Sequence, residues 1–300
     1  MASASTLFVA LAALCWGLSG GIGAILMADS WDAFVVSFYR GAIGLLFVLF
    51  WLALRLRNSG LTSRRLWFWS VVAGLGVAGN FSFYFVSIAE GSVAVAATLM
   101  YCAPVFVYLA SFALKLESST PLKWAAIVMV MIGIVLLTRI YDIDADGITP
   151  LGVATGLLAG LFYAVFIFGF KYATPHGSPQ AILVIAFTTL VAILIWPGDL
   201  DQITAVPYTP VWPLFAALGV LGAGLSFTLY ILGLKYTVPA VASIMAMVEP
   251  VTATLFGIVV LNESLVGLQI LGMGLILATV TAMSIYSSHH QTPSGLTNTE

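Results

Sequence analysis

The sequence predicts an all-α integral membrane protein of ten transmembrane helices, arranged as two inverted five-helix repeats around a central cavity. Three observations carry that expectation. First, 61% of the residues are hydrophobic and 7% charged, and mean hydropathy is +1.10, whereas soluble domains carry about 25% charged residues. Ten basic and twelve acidic side chains on 300 residues cannot solvate a globular surface, which excludes soluble enzymes, nucleic-acid binders and disordered scaffolds. Second, the apolar residues fall into ten runs close to the ~20 residues that a spanning helix needs. Third, the chain resembles itself when displaced by 146 residues.

Cutting at charged, Pro-rich and polar breaks places the spans at 5–28, 32–54, 66–89, 92–114, 121–140, 149–171, 179–196, 211–235, 238–261 and 265–287. No Lys or Arg precedes the first run, so it lacks the basic leader of a secretory signal and reads as a retained helix. The third and fourth spans are separated only by Glu90-Gly91-Ser92, and the seventh is short. Residues 1–140 form the first repeat, 149–287 the second, and 288–300 a polar, disordered cytoplasmic tail. Cys15 and Cys102 sit in apolar runs and suggest no disulfide framework.

Charge sets the orientation. With alternating connections, one side holds Arg55, Arg57, Arg64, Arg65, Lys115, Lys123, Lys171 and Lys235, and the other holds Arg139 among nine acidic residues. Basic residues collect on the cytoplasmic side of membrane proteins, so both termini are expected in the cytoplasm. An error of one span would scramble this segregation.

At the 146-residue offset, residues 75–122 meet 221–268 without a gap. Gly76/Gly222, Phe81/Phe227 and Tyr84/Tyr230 match in the third and eighth spans, Pro104/Pro250 in the fourth and ninth, and Glu117/Glu263 with Ser118/Ser264 follow. Five spans per half is an odd number, so the second half enters the bilayer inverted. Inverted repeats are a signature of secondary transporters with a midplane site between the halves; a duplicated bundle that transports nothing is the alternative.

These residues, together with Pro104 and Pro250 each followed thirteen positions later by Glu, and the early Trp16-Gly17, resemble the EamA family of the drug/metabolite transporter superfamily. The resemblance covers about residues 5–287, and within the family the chain is similar to the YddG-type aromatic amino-acid exporters. It implies inner-membrane export of small metabolites through a central cavity lined by spans 1, 3, 4, 6, 8 and 9, with spans 5 and 10 peripheral. The expected partners are membrane lipid and a small substrate, amino acids first; no nucleic acid, cofactor or metal is expected. Nothing in the sequence speaks to oligomeric state.

Two charges stand inside spans. Arg40 and Glu249 come out at similar depth, within ~6 Å of each other along the membrane normal, at 1.5 Å per residue. An intramembrane charge costs about 2.5–3.5 kcal/mol on insertion scales and faces a cavity or a partner. Either these groups meet the carboxylate and ammonium of a zwitterion, or Glu249 titrates, or they pair structurally with Arg40 snorkelling outward. Pro104 and Pro250 each remove a mid-span backbone hydrogen bond, making a hinge or an ordinary kink. Asn80, Tyr84, Tyr101, Ser243 and Met247 complete the candidate cavity, with Trp16 and Tyr163, aligned at a neighbouring offset, as facing aromatic walls suited to apolar or aromatic side chains. Trp51, Trp67, Trp69 and Trp196 lie at span ends and read as an interfacial belt. Gly17/Gly21 and Gly156/Gly160 are spaced for close helix packing.

Rival chemistries fail on residues. Asp142-Ile-Asp-Ala-Asp-Gly147 opens like a calcium loop, but Val153 stands where a bidentate Glu is required. Gly17-Leu-Ser-Gly20 echoes an intramembrane serine protease, yet His176, His289 and His290 are the only histidines and lie in a loop and the tail. No H-E-x-x-H occurs. A passive facilitator or channel for small solutes remains the alternative to a transporter, with an intramembrane enzyme of another kind a more distant one.

Overall fold

A computed structural model describes residues 2–54, 59–90, 93–116, 119–142, 149–262 and 264–290. Several helix starts are written as a hydroxyl followed by proline: Thr120-Pro121, Thr149-Pro150 and Ser178-Pro179. Each hydroxyl accepts the amide of the residue three on (Lys123, Gly152, Ala181), and proline at the first helical position forfeits no hydrogen bond. The helices are α1 (Ala2–Ala28), α2 (Ala33–Leu54), α3 (Arg64–Ala89), α4 (Val93–Met100), α5 (Ala103–Ala113), α6 (Pro121–Thr138), α7 (Pro150–Ala173), α8 (Pro179–Leu194), α9 (Leu200–Ala205), α10 (Trp212–Gly219), α11 (Ser226–Leu234), α12 (Pro239–Met245), α13 (Val248–Leu261) and α14 (Gly267–His290).

Nine spans among the described residues are long and apolar enough to cross a membrane, three of them assembled from consecutive pieces: α4–α5, α10–α11 and α12–α13. The remaining apolar helix, α8, has 16 residues, ~24 Å at 1.5 Å each. It ends at Leu194 rather than at the expected 196 because Pro197 disfavours helical geometry in the residue before it. Side chains such as Phe50 (69% exposed), Val259 (77%) and Leu46 (65%) face outward, a surface suited to hydrocarbon and not to water. Trp67 and Trp196 are likewise exposed near helix ends. Helix α14 continues to His290, past the expected start of the tail at 288. Glu117, Ser118, Glu263, the acidic stretch 143–148 and the rest of the tail, 291–300, lie outside the described residues.

Lipid offers no hydrophobic drive for helices to associate, so close packing and hydrogen bonds must hold them. Small residues supply the closeness. A Cβ on Gly17 would lie 2.5 Å from the Glu249 carbonyl oxygen, fixing α1 against α13, and one on Gly160 would lie 3.0 Å from the Leu99 and Met100 carbonyls, fixing α7 against α4. Asn80 Nδ2 donates to the Ala159 carbonyl at 2.9 Å and Ser87 Oγ to that of Gly152 at 2.7 Å, tying α3 to α7.

The packing has a regular pattern. Helix α1 packs on α11 and α13, and α7 packs on α3 and α4; α2 meets the α10–α11 span, and α8 meets α3; α6 packs on α14. Exchanging each span with its counterpart five places on maps this set onto itself. Ser5, at the start of α1, and Lys171, near the end of α7, both bond Thr237, so α1 begins where α7 ends.

Candidate functional site

A cavity of about 310 Å³ opens between the spans, at the small end of the range for ligand sites. Its wall takes residues from Trp16 to Met27 of α1, Val36 to Arg40 of α2, Val77 to Phe85 of α3, and Val93 to Tyr101 of the fourth span. Tyr163 and Phe166 of α7, Leu218 and Phe227 of the eighth span, and Glu249 and Ala253 of α13 complete it. Helices α1, α2, α3 and the fourth span contribute residues from the middle of the bundle to the end where α1 stops at Ala28 and α2 starts at Ala33, while Tyr163, Phe166 and Phe227 contribute from mid-bundle. That end is the mouth. The opposite end, the root, contributes no wall residue among those described.

Of the sequence candidates, Trp16, Arg40, Asn80, Tyr84, Tyr101, Tyr163 and Glu249 stand on this wall. Ser243 and Met247 do not. Both are fully buried in the ninth span, Ser243 in α12 and Met247 in the turn before α13, and the Ser243 hydroxyl donates to the Ala240 carbonyl at 2.8 Å. Trp16 and Tyr163 do not stack on each other; Phe166 joins them, its ring 6.3 Å from that of Trp16 and 4.5 Å from that of Tyr163. The second span joins the wall alongside those that the resemblance implied, while α6 and α14 stay peripheral.

Sequence reasoning passed over Phe81, Phe166 and Phe227. The signal for two of them was present: Phe81 and Phe227 are a matched pair of the repeat, and both line the cavity. Phe227 belongs to an aromatic plug beneath the floor, with Trp16 and Tyr230 rings 5.0 Å apart and Phe170 and Phe187 packed around Phe227. Trp16 Nε1 and Tyr230 Oη are buried there with no hydrogen-bond partner among the described residues.

The two intramembrane charges face the same space but do not pair. Among the described residues the one ion pair within 4.0 Å is Arg139–Asp142, at the mouth rim. Arg40 Nε donates to the Gly222 carbonyl at 2.9 Å and its guanidinium lies 5.1 Å from the Phe81 ring centre. The Tyr163 hydroxyl donates to Glu249 Oε2 at 3.5 Å, a long contact. The arrangement is an aromatic box with a fixed cation on one side and a carboxylate on another.

The fourth and ninth spans break at matched places. Helix α4 ends at Met100 and α12 at Met245; Tyr101-Cys102 and Ala246-Met247 are non-α turns, each followed within a few residues by Pro104 or Pro250. Proline leaves the carbonyl four residues back unbonded by its own amide; those are Met100 and Ala246, and each break falls there.

Below the plug the root is closed. Lys171 Nζ donates to the carbonyls of Leu234 (2.8 Å), Lys235 (3.2 Å) and Thr237 (2.8 Å), and Thr237 Oγ1 donates to Ser5 Oγ at 3.1 Å. A cation at a helix C-terminus satisfies carbonyls with no intrahelical partner.

Similarity to known proteins agrees with this architecture. A chain of known crystal structure superposes with a TM-score of 0.74 at 19% identity, covering 96% of this chain and 99% of that one, which shows the shared fold. An uncharacterized transporter of Archaeoglobus fulgidus is 30% identical over 269 residues, covering 88% of this chain and 91% of its own. The threonine/homoserine exporter RhtA of Escherichia coli is 27% identical over 207 residues, 68% of this chain and 67% of its own. These relatives indicate a multi-pass membrane transporter and not an enzyme. The EamA-like transporter family model matches twice, at residues 4–139 and 150–285, so the chain is a two-repeat member of the EamA-like transporter family.

Proposed function

We propose that the protein exports amino acids, those with aromatic or apolar side chains first, across the inner membrane by alternating access. One observation carries the reading: a blind, aromatic cavity holds Arg40 and Glu249 without a direct ion pair between them. A zwitterion matches that pair, its carboxylate at Arg40 and its ammonium at Glu249, while its side chain packs on Trp16, Tyr84, Tyr101 and Tyr163, with Asn80 at the wall. The similarity to RhtA, a threonine/homoserine exporter, supports amino acids as the class; the aromatic wall supports larger, less polar side chains.

Ten spans in two inverted halves support the mechanism. The exchange pattern in the packing and the opposed directions of α1 and α7 favour inversion, with α8 counted as the seventh span. Arg64, Arg65, Lys115, Lys123, Lys171 and Lys235 stand towards the root, which supports a cytoplasmic root, cytoplasmic termini and an outward-facing mouth. Rocking of the halves at the breaks beside Pro104 and Pro250 opens the root as the mouth closes.

The test is a substrate panel in proteoliposomes, reading counterflow of labelled phenylalanine against unlabelled amino acids. Tryptophan, phenylalanine and leucine are expected to compete; competition by none of them would remove the substrate assignment. A facilitator or channel is separated by a gradient: a coupled exporter drives uphill flux, a facilitator only downhill flux. Glu249→Gln is expected to cut flux and flatten its pH dependence. Unchanged flux with an unchanged pH profile would take Glu249 out of both binding and coupling.

A further inference from the structure

We infer that the π-helical turn Val220–Leu225, between α10 and α11, is a positioning device for Arg40 that makes the site select substrates with a free carboxylate, with Gly222 as the positioning residue. The inference rests on the proposed role of Arg40 in binding.

In an α-helix the amide of Ser226 would bond the carbonyl of Gly222. Here it bonds the carbonyls of Leu221 and Ala223 and passes Gly222 over, as the wider i→i+5 register permits. The Gly222 carbonyl is then available to Arg40, whose Nε–H it accepts at 2.9 Å. With Phe81 beneath the guanidinium plane, the side chain is held at Nε and along one face. No acceptor among the described residues bonds its two terminal nitrogens, and Arg40 lines the cavity. A guanidinium held this way offers its end-on fork of parallel N–H donors, the geometry that grips a carboxylate bidentately.

Position 222 tolerates nothing larger than glycine in this arrangement. A Cβ there would stand 2.7 Å from Arg40 Nε and 2.6 Å from Ser19 Oγ, so alanine must push the guanidinium off its seat. The matched position in the first repeat, Gly76, lies in unbroken α-helix against the backbone of Phe166, and the counterpart of Arg40 is Ala186. The device therefore belongs to the second half alone, and it breaks the symmetry of the site where a substrate's two ends differ.

Calorimetry on the purified full chain with phenylalanine and phenylalaninamide, which lacks the carboxylate charge, tests this. Wild type is expected to favour phenylalanine by about tenfold or more, the equivalent of roughly 1.4 kcal/mol for a charge-assisted contact. Arg40→Gln erases that preference. Gly222→Ala, and separately deletion of the lipid-facing Val220 to restore α-helical register, each lower it by about tenfold while binding of the amide persists. If Arg40→Gln leaves the preference intact, or wild type shows none, the carboxylate role of Arg40 falls and this inference with it. If Arg40→Gln erases it while Gly222→Ala or the deletion variant, folded, retains it, the positioning role is overturned and the role of Arg40 stands. Nitrogen-15 arginine spectra of the wild type need no folded variant: Arg40 Nε–H is expected to resist exchange without ligand, and the terminal nitrogens to shift with phenylalanine but not with the amide. Rapid Nε–H exchange overturns the inference.

Discussion

The mouth and root halves of the bundle are made from the same helices and differ in what fills the space between them. At the root, α1, α7, α11 and α12 are joined by the Lys171 cradle and the Thr237–Ser5 bond, beneath the Trp16–Phe227–Tyr230 plug that floors the cavity. At the mouth, the same α1 presents Gly20, Gly23 and Ala24 to open space, and a Cβ on Gly20 would meet nothing within 4 Å. If the repeats are inverted, as proposed, they relate the two ends, but the ends are not equivalent: the counterparts of Lys171 near the mouth end of α1 are Ala24 or Ile25, whose side chains carry no donor. On the proposed alternating-access reading, a lysine that ties one end and has no twin at the other would bias the bundle towards an open mouth.

Removing that lysine should have the largest effect on the comparison. Hydrogen bonds from a charged group contribute about 1.5–3 kcal/mol each when buried, less when partly exposed. Lys171→Met is expected to shift the population towards an open root by tenfold or more, read as faster labelling from the cytoplasmic side of a cysteine at the buried position of Ala13. Unchanged labelling would mean that the cradle does not hold the gate. Gly17→Ala comes next, because its Cβ must displace the Glu249 carbonyl or Thr252. Overpacking of this kind costs about 1–3 kcal/mol, and thermal unfolding in detergent should register it together with weaker substrate binding. Three residues along the same helix, Gly20→Ala should change stability by less than about 0.5 kcal/mol. Equal losses at positions 17 and 20 would erase the contrast between the side of α1 packed on α13 and the side open to the cavity.

Much of this architecture was legible because membrane helices must satisfy their backbone internally and keep charge out of lipid. Charged, Pro-rich and polar breaks marked the span limits, and Pro104 and Pro250 marked mid-span interruptions. Burial of Arg40 and Glu249 pointed to a cavity because a charge at mid-span needs water or a partner. Ser243 and Met247 share a span with Glu249, but an apolar span carries no outward polar face from which to read its rotation, so sequence could not say that they turn away from the cavity into the packed interior. The π-helical turn was illegible for a related reason. Nothing in Val-Leu-Gly-Ala-Gly-Leu demands i→i+5 bonding; Arg40, 182 residues away in sequence, uses the carbonyl that the turn releases. Phe81 and Phe227 were visible as a repeat match, but a match reports common ancestry of positions and not which way a ring faces.

The most direct measurement is sided labelling of single cysteines at positions 20 and 13, with Cys15 and Cys102 replaced, in vesicles with and without a gradient of phenylalanine. Position 20 is expected to react only from the outer face and position 13 only from the cytoplasmic face, with reactivities that change in opposite directions when substrate drives turnover. Simultaneous reactivity of both positions, or reaction of position 20 from the cytoplasmic face, would contradict a cavity that opens to one side at a time.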